Sequence, residues 1–142
     1  MNLKEDILKI YTDGAARGNP GPAASAFVFV LNNNIIHNGV NFIGTATNNQ
    51  AEYQAIINAL KAVGQFQPRH IRVYSDSNLV IQQINRKWRV NVPHLLKLYN
   101  QVYQLKEKFE KTEFFHVKRN NPYIQKCDSL CNEKLDNEGF KI

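Results

Sequence analysis

Ile10-Tyr11-Thr12-Asp13-Gly14-Ala15-Ala16-Arg17-Gly18-Asn19-Pro20-Gly21-Pro22 is the stretch on which the fold turns. A short apolar run ends in a carboxylate, and the residues after it are small or stiff. Gly14, Gly18 and Gly21 tolerate φ > 0 and let another backbone come close. Pro20 and Pro22 restrict the exit. An acid is thus set at a strand end with bulk kept away from it, as a phosphate backbone or a metal ion requires. An Asp-Gly pair alone is also an ordinary turn, so the meaning of Asp13 depends on its surroundings.

Working outward, Ile7 to Thr12 reads as a first strand. Ala24 to Leu31 is a nearly continuous apolar run, suited to a strand covered on both faces. Asn32-Asn33-Asn34 is a polar turn, and Ile35 to Ile43 is a third strand, giving an antiparallel meander. Thr47-Asn48-Asn49 opens a helix with Thr or Asn available as cap. Its apolar stripe is Ile56, Ala59, Leu60 and Val63, and Glu52 lies on that stripe. Ile71 to Asp76 is a fourth strand that again ends in Asp, and Ser77 caps a helix over Asn78 to Ile84. Pro93 starts a further helix whose core face is Leu95, Leu98, Tyr99, Val102, Leu105 and Phe109. Thr112 to Val117 is a fifth strand. A last helix runs from Tyr123 to Leu135, with Ile124, Cys127, Cys131 and Leu135 inward and Asp128 bordering them.

The order βββ-α-β-α-α-β-α, with right-handed crossovers, makes strands four and five parallel to strand one. The expected fold is α/β: a five-stranded mixed sheet of order 3-2-1-4-5 with helices on both faces, in one domain over residues 1–142. Asp13 and Asp76 then sit at adjacent carboxyl ends of strands, where open α/β sheets bind ligands. Glu52 reaches the same place from the head of its helix. An ionised Glu on a core-facing stripe is costly unless paired or bound to a cation; an exposed Glu near a helix start, favoured by the dipole, is the plainer alternative.

Charge narrows the partner. The chain carries +6, and residues 86 to 119 alone hold nine Lys and Arg against three Glu, the same +6. Such a field favours a polyanion. Between Ile7 and Lys106 there are only three acids, Asp13, Glu52 and Asp76, against ten Lys and Arg. A surface that meets phosphate avoids acids except where they hold a metal. Trp88, among Arg86, Lys87 and Arg89, either stacks on a base or sugar or anchors its loop to the core. No apolar run approaches the roughly 18–20 residues of a membrane helix, and Met1 to Asp6 has no signal-peptide pattern. Cys127 and Cys131, four apart on a helix, read as buried thiols in a reducing, cytoplasmic setting.

Five stretches together resemble ribonuclease H of type 1: Tyr11 to Pro22, Thr47-Asn48-Asn49-Gln50-Ala51-Glu52-Tyr53, Tyr74-Ser75-Asp76-Ser77, His116-Val117-Lys118-Arg119 and Cys127-Asp128-Ser129-Leu130. The resemblance implies an endonuclease that cuts the RNA strand of an RNA–DNA hybrid with two Mg²⁺ ions, Mn²⁺ being a possible substitute, and leaves 5′-phosphate and 3′-hydroxyl ends. It implies that Asp13, Glu52, Asp76 and Asp128 are the metal-binding, catalytic carboxylates. It places Asn19, with Gly14 and Arg17, in a substrate-contacting loop. It assigns Asn48 and Asn49 to the minor groove of the hybrid and Thr47 to a DNA-strand phosphate. It further implies a monomer with no obligate protein partner. Mg²⁺ prefers carboxylate and water oxygens, which suits this donor set.

The chain departs from the family pattern in three places. Only Arg86 to Val92 stands where many relatives carry a basic protrusion, which leaves Lys87, Trp88, Arg89 and the C-terminal basic residues to hold the hybrid. The loop after strand five has no His, and Arg119 is the candidate in its place. Ile124 and Cys127 replace residues common before the last acid. Two other readings use the same features: a non-catalytic nucleic-acid-binding module, and a nucleotide-binding enzyme using the glycine loop. That loop lacks the Gly-Lys-Ser/Thr ending of a P-loop.

Overall fold

The computed structural model describes residues 6–140. Its elements are β1 (Ile7–Ala16), β2 (Gly21–Leu31), β3 (Asn34–Ala46), α1 (Asn48–Val63), a 3₁₀ turn (Gly64–Phe66), β4 (His70–Ser75), α2 (Asn78–Ile84), α3 (Pro93–Lys106), β5 (Lys111–His116) and α4 (Pro122–Asn137). The sheet order is β3-β2-β1-β4-β5. β1, β2 and β3 are antiparallel neighbours, and β4 and β5 run parallel to β1. The expected topology is therefore the observed one.

Strand periodicity divides the core between the two faces. Leu8 and Ile10 of β1, Phe27 and Phe29 of β2, and Ile71 and Val73 of β4 meet α1, α2 and α3. Tyr11 of β1 and Ala24, Ala26, Val28 and Val30 of β2 meet Ile124, Cys127, Cys131 and Leu135 of α4. β2 is buried along almost its whole length, as its unbroken apolar run requires. Each fully buried Ile or Leu on these stripes contributes about 1.5–3 kcal/mol. Both cysteines are free and buried.

Several boundaries differ from the sequence reading. β1 does not stop at Thr12: Gly14, Ala15 and Ala16 continue to pair with Ser25, Ala24 and Ala23 of β2. Its pairing with β4 does stop at Thr12, opposite Ser75. Asp13 thus lies inside one ladder and just beyond the other. β4 ends one residue before Asp76. α3 buries only Leu95 and Val102 fully and ends at Lys106, so Phe109 packs from beyond the helix. α4 starts at Pro122 rather than Tyr123, because the Asn121 side chain accepts from the Tyr123 and Ile124 amides, and it continues past Leu135 to Asn137.

The glycines divide by role. Gly18 alone of the three in the first stretch has a positive φ, +97°. Gly14 has no space for a side chain: an added Cβ would stand 2.5 Å from the Glu52 amide nitrogen and closer still to the Ala51 carbonyl group. The close packing of β1 against α1 depends on that missing atom. In the hairpin between β2 and β3, Asn32 and Asn33 are both left-handed, at φ 50° and 66°, as tight hairpins prefer.

One buried polar pair ties α1 to the basic loop after α2. The Tyr53 hydroxyl donates to Gln83 Oε1 at 2.7 Å, and Gln83 Nε2 donates to the Arg89 carbonyl at 3.4 Å. Both side chains are buried. Tyr53→Phe leaves the Gln83 oxygen short of a donor, and we expect a loss of about 1–2 kcal/mol in urea unfolding. An unchanged midpoint would show that the pair does not contribute.

Candidate active site

Three elements deliver three acids to one point. β1 points Asp13 to the same face as Tyr11, and the first residue after β4 is Asp76. α1 brings Glu52 down from its second turn. The helix is started by a capping box: Thr47 accepts from the Gln50 amide, while the Gln50 side chain accepts from the Thr47 amide. The Asn19 side chain accepts from the Asn48 amide at 3.0 Å, and Asn48 Oδ1 accepts from the Ala16 amide at 3.1 Å. The glycine-rich loop, the end of β1 and the start of α1 are thereby locked together.

One oxygen from each of Asp13, Glu52 and Asp76 lies within 4.8 Å of the others. Asp13 is 6% exposed and Glu52 8%. The Gly14 amide donates to Asp13 Oδ1 at 3.0 Å and also to Glu52 Oε1. One N–H cannot neutralise two buried acids. Burial, then the neighbouring charge of Asp76, pushes the Asp13 carboxyl up to about 7. Glu52 is likewise raised, by burial first and then by the charges of Asp13 and Asp76. Acids crowded in this way favour protonation or a cation between them. The donor set is all oxygen, which fits a hard divalent ion.

The three acids line an open cleft of about 540 Å³ together with Gly14, Ala15, Ala16, Asn48, Asn49, Ser77, Arg119, Gln125 and Asp128. Asp128 is exposed on α4 and sits at the cleft wall, outside the tight triad; its charge also raises Asp13. Arg119 is the cationic side chain in the lining: its Nε lies 3.4 Å from Asp76 Oδ2, and the side chain is 92% exposed.

Other expected site residues stand elsewhere. Lys87 and Trp88 line a separate depression with Arg86, Arg89, Leu96 and Tyr99, and Trp88 is 47% exposed. Its ring is not an anchor buried in the core. Thr47 and Asn19 have their side-chain oxygens engaged in holding α1. Arg17, expected at the substrate, turns toward the end of α4, where it bonds Asp136, the carbonyl oxygens of Asn132 and Phe140, and the Asn132 side chain. Acceptors gathered at that helix end outcompete solvent for a fork of donors. Gln125 and Ser77 are cleft residues that the sequence reading did not place in the site. Gln125 was legible in principle, being three residues before Asp128 and so on the same helical face.

A mixed sheet of order β3-β2-β1-β4-β5, with Asp13 and Asp76 just beyond the β1–β4 pairing and Glu52 facing them from α1, defines the class of ribonuclease H-like α/β proteins. Comparison with known proteins agrees. Residues 11–133 match a family described as reverse transcriptase-like. Ribonuclease HI of Halobacterium salinarum is 42% identical over 127 residues, which cover 89% of this chain and 63% of that protein, so the chain spans under two thirds of this relative's length. Ribonuclease H of a Thermoanaerobacter species is 32% identical, with 95% of this chain and 94% of that protein covered. The crystal structure of LC11-RNase H1 in complex with an RNA/DNA hybrid superposes with a TM-score of 0.87 at 33% identity, covering 92% of this chain and 98% of that one. The chain belongs to the ribonuclease H family.

Proposed function

We propose that this chain is an endonuclease that hydrolyses the RNA strand of RNA–DNA hybrids with two divalent metal ions, leaving 5′-phosphate and 3′-hydroxyl ends. The observation that most supports this is the convergence of Asp13, Glu52 and Asp76 within 4.8 Å in a cleft bordered by Asn48 and Asn49. A protein that merely bound nucleic acid would gain nothing from acids where phosphate must sit. Asp13, Glu52, Asp76 and Asp128 would hold Mg²⁺, or Mn²⁺ in its place. Such ions, when bound, supply the positive charge that eases water ionisation and departure of the 3′-oxygen in phosphodiester hydrolysis.

The chain's own groups do the rest. Asn48 has its side-chain oxygen engaged with Ala16, so it meets a ribose 2′-hydroxyl through its NH₂ group. Asn49 has no such partner among the described residues and offers both donor and acceptor. Reading the 2′-hydroxyl is what separates RNA from DNA. Arg119, extended over the cleft, offers its guanidinium to a phosphate oxygen. Lys87 and Arg89 take backbone phosphates, and Trp88 offers a stacking face. Both thiols are free and buried, and among the described residues no helix is long and apolar enough to cross a membrane; a cytoplasmic location is part of the same reading. We take the protein to act as a monomer.

The test is an end-labelled RNA–DNA hybrid, double-stranded RNA and double-stranded DNA, each incubated with Mg²⁺, Mn²⁺ or EDTA. The expected result is cuts confined to the RNA strand of the hybrid, with no cleavage in EDTA. Binding of the hybrid without scission in either metal would leave a binding module instead.

A further inference from the structure

Asp128 differs from its three companions in having little burial to hold its carboxylate. One neighbour, Asn132, holds it instead, and Arg17 orients that neighbour. Asn132, one helical turn on, donates from Nδ2 to Asp128 Oδ2 at 3.3 Å and to the Asp128 carbonyl at 3.1 Å. Asn132 Oδ1 in turn accepts from Arg17 Nη2 at 3.3 Å. A guanidinium can only donate. It therefore forces the amide oxygen of Asn132 toward itself and the NH₂ group toward Asp128. With the amide reversed, a lone pair would face the carboxylate and NH₂ would face a cation. Arg17 is itself fixed: Nη1 donates to Asp136 Oδ1 at 2.7 Å and to the Phe140 carbonyl, Nη2 also reaches the Asn132 carbonyl at 3.3 Å, and the side chain is largely buried. Phe140 stacks on Phe42, with ring centroids 5.5 Å apart, which holds that carbonyl in place.

We propose that Asn132 is a positioning residue that aims Asp128 into the carboxylate cleft, and that Arg17 fixes the orientation of Asn132. The inference rests on the reading of Asp128 as a metal-binding acid. An unrestrained carboxylate on an exposed helix face samples several rotamers, and freezing one on cation binding costs side-chain entropy. The Arg17–Asn132 relay removes most of that cost in advance. It also gives Arg17, on the glycine-rich loop, a function without substrate contact. Loss of a partner that orients a metal-binding side chain typically weakens metal affinity about 10–100-fold. For a single partly exposed hydrogen bond we expect the low end, about tenfold.

The experiment is calorimetric titration of Mn²⁺ into the metal-free full chain as wild type, Asp128→Asn, Asn132→Leu and the double variant, with thermal unfolding in EDTA as the measure of fold. Asn132→Leu is expected to weaken Mn²⁺ binding about tenfold in the wild-type background and to change nothing in the Asp128→Asn background. Arg17→Lys, which keeps the charge but loses the fork, is expected to weaken binding only where Asn132 is present. If Asp128→Asn itself leaves Mn²⁺ affinity unchanged, Asp128 is not a ligand, and that reading and the proposal fall together. If Asp128→Asn weakens binding but Asn132→Leu does not, or does so equally in both backgrounds, the reading of Asp128 stands and the positioning role is overturned.

Discussion

Asp13→Asn is expected to lower hybrid cleavage by at least about a thousandfold, equivalent to about 4 kcal/mol of transition-state stabilisation, while making the metal-free protein more stable. Both effects come from one cause. β1 holds Asp13 buried in the cleft among other acids. Its oxygen belongs to the triad within 4.8 Å, and an amide cannot supply the negative charge a divalent ion needs there. Without metal that charge is a liability. Burial and the charge of Asp76 move its carboxyl from an ordinary 3.8 to about 7, so the folded state holds the proton more tightly than the unfolded chain does. Stability then falls as pH rises between those two values, by up to about 1.4 kcal/mol per unit for one group. In EDTA the wild type should lose stability from pH 4 to pH 7. Asp13→Asn should lose less and should exceed the wild type at pH 8. Saturating Mg²⁺ should reverse the order, because a ligand bound only by the native state stabilises it. Urea midpoints at three pH values, with and without metal, check this. A variant that cleaves normally, or one that is less stable in EDTA at pH 8, would contradict it.

Gly14→Ala carries the second large effect, on the fold and the site together. The added methyl carbon would stand 2.5 Å from the Glu52 nitrogen and nearer the Ala51 carbonyl. These are backbone atoms of a helix, so no side chain can swing away. α1 must lift from β1, and its buried face, which includes Ile56, Ile57 and Leu60, loses contact with the sheet. Overpacking a tight core costs about 1–3 kcal/mol and sometimes more; with backbone on both sides we expect about 3 kcal/mol or above. Glu52 would leave the triad in the same movement, so cleavage should fall even at temperatures where the variant remains folded. Circular dichroism in urea and hybrid cleavage at low temperature measure the two effects separately. A Gly14→Ala protein of wild-type stability would mean that β1 and α1 are not this close.

The sheet order, the strand directions and the two central acids were legible because they follow from local pattern and handedness. The apolar run of β2, the alternation in β1 and β4, and right-handed crossovers leave few topologies open. Glu52 could be suspected because an acid stands on an otherwise apolar helical stripe. The direction of Arg17 was not legible, since nothing local says that a loop arginine faces a helix about 115 residues later. The role of Gly14 was half legible. Its residue type announced freedom of φ or close approach, and only the packing of α1 selected the second. For Trp88 the sequence permits two readings, and its exposure decides against the core.

What the sequence determined by itself is the set of elements and the list of acids, because hydrophobic period, capping and turn chemistry act over a few residues at a time. The tertiary structure decided which acids crowd closely enough to change one another's ionisation and which stay at the rim. Coulomb interaction and desolvation depend on distances between residues far apart in the chain, and those distances exist only once β1, β4, α1 and α4 have packed.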